Sequence, residues 1–207
     1  MRTIVKSGEP QSLQRFNRIM HNSWDEIHLL NNQHVYDDCL NQCEIDQNYL
    51  CCYTEIPVIE GIKHIDHYIK RDLDPSLTFA WENMVCAIKD HRFGADWKDN
   101  HISLAGIYDK NGKCYSNLLN PLQHNLKGRF RYSTDGEIEP SDISDSIAEN
   151  TIKVFNLNEK SLKTRRKEVM QFVRCLQDGG MDKSGIFDCL SEGGFLSVIE
   201  YELSVDL

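Results

Sequence analysis

The stretch His64-Ile65-Asp66-His67, followed by Trp81-Glu82-Asn83 and closed by Lys89-Asp90-His91, puts acids, imidazoles and an amide within one short segment. Two runs rich in β-formers, residues 48–56 and 62–69, are separated by Pro57 and Glu60-Gly61, which predicts paired extended segments. A turn or loop surrounds Pro75. Beyond it Phe79, Trp81, Met84, Val85 and Ile88 fall at helical spacings and predict a helix over residues 77–92. The unit reads as strand, strand, helix, spanning residues 48–95.

Working outward, Ser12 has the character of a helix N-cap, and Leu13, Phe16, Ile19, Met20, Trp24, Ile27 and Leu30 predict one helix ending at Asn31-Asn32. A shorter helix carries Val35, Tyr36, Cys39, Leu40 and Cys43. Residues 93–117 are polar and show only a turn at Asn111-Gly112, whereas Arg129-Phe130-Arg131-Tyr132 and Glu137-Ile138 flank Thr134-Asp135-Gly136 as a small hairpin. After Pro140, Ile147, Ala148, Thr151, Ile152 and Phe155 trace a helix. A longer one follows over residues 158–176 and is stopped by Gly179-Gly180, and residues 183–203 add one or two more. The whole of 1–207 reads as a single α+β domain, a mainly helical body with the strand-strand-helix unit embedded and a helical part at 140–207.

Of 207 residues, 40% are hydrophobic and 27% charged, as in an ordinary globular protein, and no apolar run approaches the ~18 residues of a membrane span. The opening residues lack the apolar run of a signal peptide, so a cytoplasmic address is expected. Eight cysteines without a Cys-x-x-Cys pair are expected as reduced, buried thiols, and their spacing argues against a structural zinc. With 32 acids against 23 bases the net charge is −9. Autonomous tight binding to nucleic acid, which rests on phosphate neutralisation, is disfavoured, and a metal ion, a local basic patch or a partner must supply positive field.

Hydrolysis of a phosphodiester needs a base for the attacking water and positive charge on the phosphate. His67 is the candidate base, since a neutral imidazole accepts a proton near pH 7. Asp66 is its neighbour, and on a strand adjacent side chains point to opposite faces. A shared role therefore requires a loop or strand end at this point.

Asp66-His67, then Asn83, then a further metal-binding side chain resembles the HNH endonucleases, whose ββα-metal fold places the Asp-His pair at a strand-to-loop junction. The flanks narrow the likeness to PtuB-type HNH proteins of Septu and retron antiphage defence systems. Lys6-Ser7-Gly8-Glu9-Pro10-Gln11-Ser12-Leu13 is similar to their opening, Tyr53 and Glu55 to their Cys-x-Tyr-Cys-Glu, and Trp81-Glu82-Asn83 to their Trp-Glu-Asn. Leu119-Asn120-Pro121, Phe130-Arg131-Tyr132 with Gly136-Glu137-Ile138, and Ala148-Glu149-Asn150-Thr151-Ile152 with Leu157-Asn158 extend the match over nearly the whole chain. The resemblance implies a ββα-metal unit with one Mg²⁺ or Mn²⁺ ion bound by Asp66 and His91. It implies that His67 activates the water and that Asn83 holds the loop carrying His67. It also implies nucleic acid, DNA or RNA, as substrate. The implied partner is an ABC- or SMC-like, PtuA-type ATPase, with a reverse transcriptase and its RNA-linked DNA in retron systems. The chain departs from the family in lacking the two Cys-x-x-Cys pairs that hold a structural zinc in many relatives. Arg92 stands where they usually place the helix-side ligand; His91 is one residue earlier, and Asp90 is its substitute.

Simpler readings stand beside these. His64 is either a substrate or metal contact or an exposed strand residue, and Asp90 is by default a solvated helix residue. Trp81 and Phe79 are read as core rather than as base-stacking platforms. Lys163, Arg165, Arg166 and Lys167 form the densest basic cluster; a solvated helix face is its default, contact with phosphate or a partner its alternative. His21, His28, His34, His101 and His124 carry no constellation. A catalytically decayed HNH subunit kept as an assembly surface is the alternative to an active nuclease.

Overall fold

The structure is a computed structural model, and it describes residues 1–21 and 23–204. Helix α1, Gln11–Phe16, buries Leu13 and Phe16. It does not run on to Leu30 as the periodicity predicts. His21 folds back instead, stacking on the Phe16 ring at 3.5 Å and donating from Nε2 to the Phe16 carbonyl at 2.8 Å, so the freed helix end is capped from within. Ser23 and Glu26 then form a capping box for a separate turn at Trp24–His28. Ile19, Met20 and Leu30 are left exposed.

Helix α2, Gln33–Asp46, buries Val35, Cys39 and Cys43 as their spacing requires. The run from residue 48 to 56 is not a strand. Its β-formers other than the exposed Tyr49 are buried in a tight turn in which Asn48, Tyr49 and Glu55 have positive φ, and only an isolated bridge, Leu50 to Pro57, remains of the expected pairing. Strand β1, Lys63–His67, pairs antiparallel with β2, Met84–Ile88, with Asp66 opposite Val85 and His67 opposite Met84. The helix expected over residues 77–92 is therefore replaced by a short turn at Trp81–Asn83 and by β2. Every residue of β2 is buried, and a continuous apolar run of this kind suits a strand covered on both faces as well as a buried helix. Helix α3, Gly94–His101, follows in the region that carries no clear sequence pattern. The observed elements here are β1, β2 and α3 over residues 63–101; of the unit expected over 48–95 only the second strand is present where it was expected.

The turn at Asn111-Gly112 joins β3, Tyr108–Asp109, to β4, Cys114–Tyr115, and the expected second hairpin joins β5, Phe130–Tyr132, to β6, Ile138–Pro140. Helices α4, Ser146–Val154, and α5, Lys160–Asp178, match their periodicity, and α6, Lys183–Leu190, and α7, Leu196–Ser204, pack on α5 around Val173, Ile186 and Ile199. The architecture is α+β, with small antiparallel two-stranded sheets set among helices. Among the described residues no helix is long and apolar enough to cross a membrane.

Motifs distant in sequence meet in this core. Lys6 lies over the Trp81 ring at 3.1 Å while the Trp81 indole donates to the Ser7 carbonyl. The Leu119 amide donates to Thr151 Oγ1, and the Asn158 side chain bonds both the amide and the carbonyl of Ile138. The Met1 amino group and the Ser197 amide and hydroxyl converge on Glu55. Trp81 is buried and Phe79 packs against the core, as their core reading expects. The basic cluster is engaged largely within the molecule: Arg165 pairs with Glu60, Lys163 with Asp135 and Glu137, and Arg166 is buried.

Candidate functional site

His67 ends β1, and its ring is fixed by the loop that follows. Nε2 lies 2.8 Å from the carbonyl oxygen of Thr78. A carbonyl only accepts, so the proton sits on Nε2 and the lone pair on Nδ1. Trp24 packs edge-on against the imidazole at 4.5 Å and stacks on Phe79, which covers the ring from the α1–α2 side. Burial pulls the His67 pKa from the ordinary 6.5 to about 4, against the Thr78 hydrogen bond and the Asp66 charge, which act in the other direction. The imidazole is therefore neutral and a proton acceptor over the physiological range.

Asn83 holds the loop that supplies Thr78. Its Oδ1 accepts from the Ile69 amide at 2.8 Å, and its Nδ2 donates to the Ile69 carbonyl at 3.0 Å and to the Leu77 carbonyl at 3.3 Å. The loop is braced from outside by Tyr115, whose hydroxyl accepts from the Lys70 amide, and by Tyr108, which donates to Asp74. Asp74 in turn caps the short turn Pro75–Leu77. His67, Thr78 and Asn83 thus form one connected arrangement, in which the asparagine ties the two halves of the loop.

Asp66 points to the other side of β1, away from His67, as strand alternation requires. Its Oδ2 accepts from Lys98 Nζ at 2.7 Å and from the Tyr53 hydroxyl at 2.5 Å. Lys98 comes from α3 and is fully buried; its ammonium also donates to the His67 carbonyl at 2.9 Å and lies 3.6 Å from Asp99. Burial alone would favour the neutral acid, but the Lys98 charge and the hydrogen bonds from Lys98 and Tyr53 outweigh it and hold the Asp66 carboxyl below its usual range. Burial likewise opposes the Lys98 charge, and the Asp66 and Asp99 carboxylates overcome it. Both partners are ionised.

His91 is exposed in the turn between β2 and α3, not on a helix. In the ribbon register Val85 faces Asp66 and Ile88 faces Lys63, so His91 leaves from the end of the ribbon remote from His67. Asp90 is held by Arg92, whose guanidinium reaches it at 2.7 and 3.0 Å. His64 shares a face with Asp66, and its Nδ1 is buried without a hydrogen-bond partner. The structure brings together His67 and Asn83, and does not bring Asp66 and His91 together.

The donors present do not fit the divalent ion that the resemblance implies. Among the described residues no group of three or more His, Cys, Asp or Glu side chains is placed to hold a metal ion. The acid of the pair accepts from an ammonium and a phenol at Oδ2, and the position a cation would take beside that oxygen is filled by Lys98 Nζ. Lys98 and Thr78 are the residues that sequence reasoning missed. Lys98 lies in a segment without periodic pattern and Thr78 contributes only a backbone atom. Tyr53 was signalled by its motif, but without a role.

Comparison with protein-family models and with curated proteins finds no match to this chain.

Proposed function

We propose that this chain is the HNH-type subunit of an antiphage defence complex and that it cuts nucleic-acid phosphodiester bonds with His67 as the base. The observation that supports this most is the fixed tautomer of His67. The bond from Nε2 to the Thr78 carbonyl leaves Nδ1 as an acceptor, and burial keeps the ring neutral. In the proposed step Nδ1 takes a proton from the attacking water as its oxygen bonds the phosphorus and the bond to the leaving oxygen breaks, the leaving oxygen taking its proton from solvent, and Asn83 acts as a positioning residue through the loop it ties. The net charge of −9 fits a subunit that meets nucleic acid with a partner, for which the resemblance suggests an ABC- or SMC-like ATPase and, in a retron, the reverse transcriptase with its RNA-linked DNA.

A second reading, a silent HNH-derived subunit that serves assembly, is favoured by two observations: Asp66 is neutralised by Lys98, and His67 is only 7% exposed. The discriminating experiment incubates the complex containing the full chain, with its trigger present, with total cellular RNA and DNA. Cleavage by the wild type and its loss in His67→Ala, with the complex still assembled, is the expected result. Full activity in His67→Ala would remove His67 as the base, and no cleavage by an intact, triggered wild-type complex would establish the second reading.

A further inference from the structure

Lys98 occupies a position that carries more than packing. Its ammonium is fully buried at the point where β1 ends, and it is met there by a carboxylate oxygen of Asp66 at 2.7 Å, the His67 carbonyl at 2.9 Å and the Tyr68 carbonyl at 3.5 Å. A carboxylate and two carbonyl oxygens facing one centre is an oxygen-donor set, the kind that hard divalent cations take. Here the centre is a protein ammonium, delivered by α3, and the hydroxyl of Tyr53, whose ring stacks on Phe155 at 4.2 Å, donates to the same Asp66 oxygen.

We infer that Lys98 is the resident cation of the β1–β2–α3 unit, taking the place of a divalent ion, so that the unit assembles and holds His67 without metal. Two features carry this. The ammonium meets the acid and the backbone at once, whereas a cation taking its place at Asp66 Oδ2 would displace a fully buried lysine and leave that charge without its partner. The second feature is the lever: Lys98 grips the His67 carbonyl, and the same residue's side chain is aimed by Thr78, so the imidazole is set from its backbone on one side and from its ring on the other. Lys98 is accordingly a positioning residue for His67, not a group that touches substrate. The inference stands whether or not His67 cuts.

The test uses the full chain and reads thermal unfolding and Mn²⁺ binding rather than activity. The wild type is expected to unfold at the same midpoint in EDTA, Mg²⁺ and Mn²⁺, and to show no tight Mn²⁺ site by calorimetry. Lys98→Ala is expected to lower the midpoint by about 10 °C, with part of the loss restored by propylammonium, which refills the cavity with the same charge. A wild-type midpoint raised by Mn²⁺, with the rise abolished in Asp66→Asn, would overturn the inference by showing that the cation displaces Lys98. An unchanged midpoint in Lys98→Ala would do the same. Should Lys98→Ala not fold, the Mn²⁺ titration of the wild type decides the matter alone.

Discussion

At His67 a single backbone acceptor does two things, choosing the tautomer and anchoring the ring in a poorly hydrated site. The stability consequence has a definite sign. The folded-state pKa of about 4 lies below the ordinary 6.5, so the neutral ring contributes fully above pH 6.5. That contribution is lost as pH falls from 6.5 towards 4, because the unfolded chain takes up the proton first. The loss should amount to about 3 kcal/mol. Equilibrium urea unfolding between pH 7 and 4 should show this limb in the wild type and a flatter one in His67→Gln. Asp66 adds a lower limb of the same sign: its depressed pKa gives stability that persists above the usual carboxylate range and disappears as pH falls below it.

At the scale of elements, the loop between β1 and β2 is long; it sends Tyr68, Ile69, Leu77 and Trp81 into the core, and its two halves are clamped by one amide side chain. Asn83→Ala deletes three buried hydrogen bonds and takes from the Ile69 amide and carbonyl the partners that Asn83 gives them, while the Leu77 carbonyl keeps the Ala80 amide. A cost of about 3 kcal/mol is expected, with faster amide exchange at Ile69. Unchanged exchange in the folded variant would show that the loop is held elsewhere. The β5–β6 hairpin makes a comparable demand at its turn. Gly136 has φ +82°, and a Cβ there would stand 2.0 Å from the Lys163 carbonyl of α5. Gly136→Ala should therefore lift the hairpin from the helix and lower the unfolding midpoint, with the loss of the contact visible as exchange at Ile138.

At the scale of the whole molecule, charge is used internally. Arg166 sends its guanidinium to the carbonyls of Gly136 and Leu157 at 2.7 and 2.6 Å, and burial pulls its pKa down to about 10. It fastens α5 to the hairpin and to the end of α4. Arg166→Met should cost about 3 kcal/mol in denaturant unfolding, whereas Lys167→Ala, on the exposed side of the same helix, should leave stability within about 0.5 kcal/mol. The pairing of Lys6 and Ser7 with Trp81, of Leu119 with Thr151 and of Ile138 with Asn158 joins short segments that are far apart along this chain. They are the two sides of the same contacts.

What the sequence determined by itself was local. Side-chain periodicity placed α2, α4 and α5, and turn residues placed the β5–β6 hairpin and the turn at Asn111-Gly112, whereas the strand expected over 48–56 and the helix expected over 77–92 did not form. Buried runs such as Met84–Ile88 satisfy helical and extended templates alike, and only the partner strand decides between them. The fold alone decided the surroundings of the site. Asp66 and Lys98 are 32 residues apart and Asp66 and Tyr53 13 apart, and the Thr78 contribution is a backbone oxygen that has no signature in residue identity. Whether an acid meets a metal ion or an ammonium depends on which side chain the neighbouring helix delivers to it, and that is set by packing rather than by spacing along the chain.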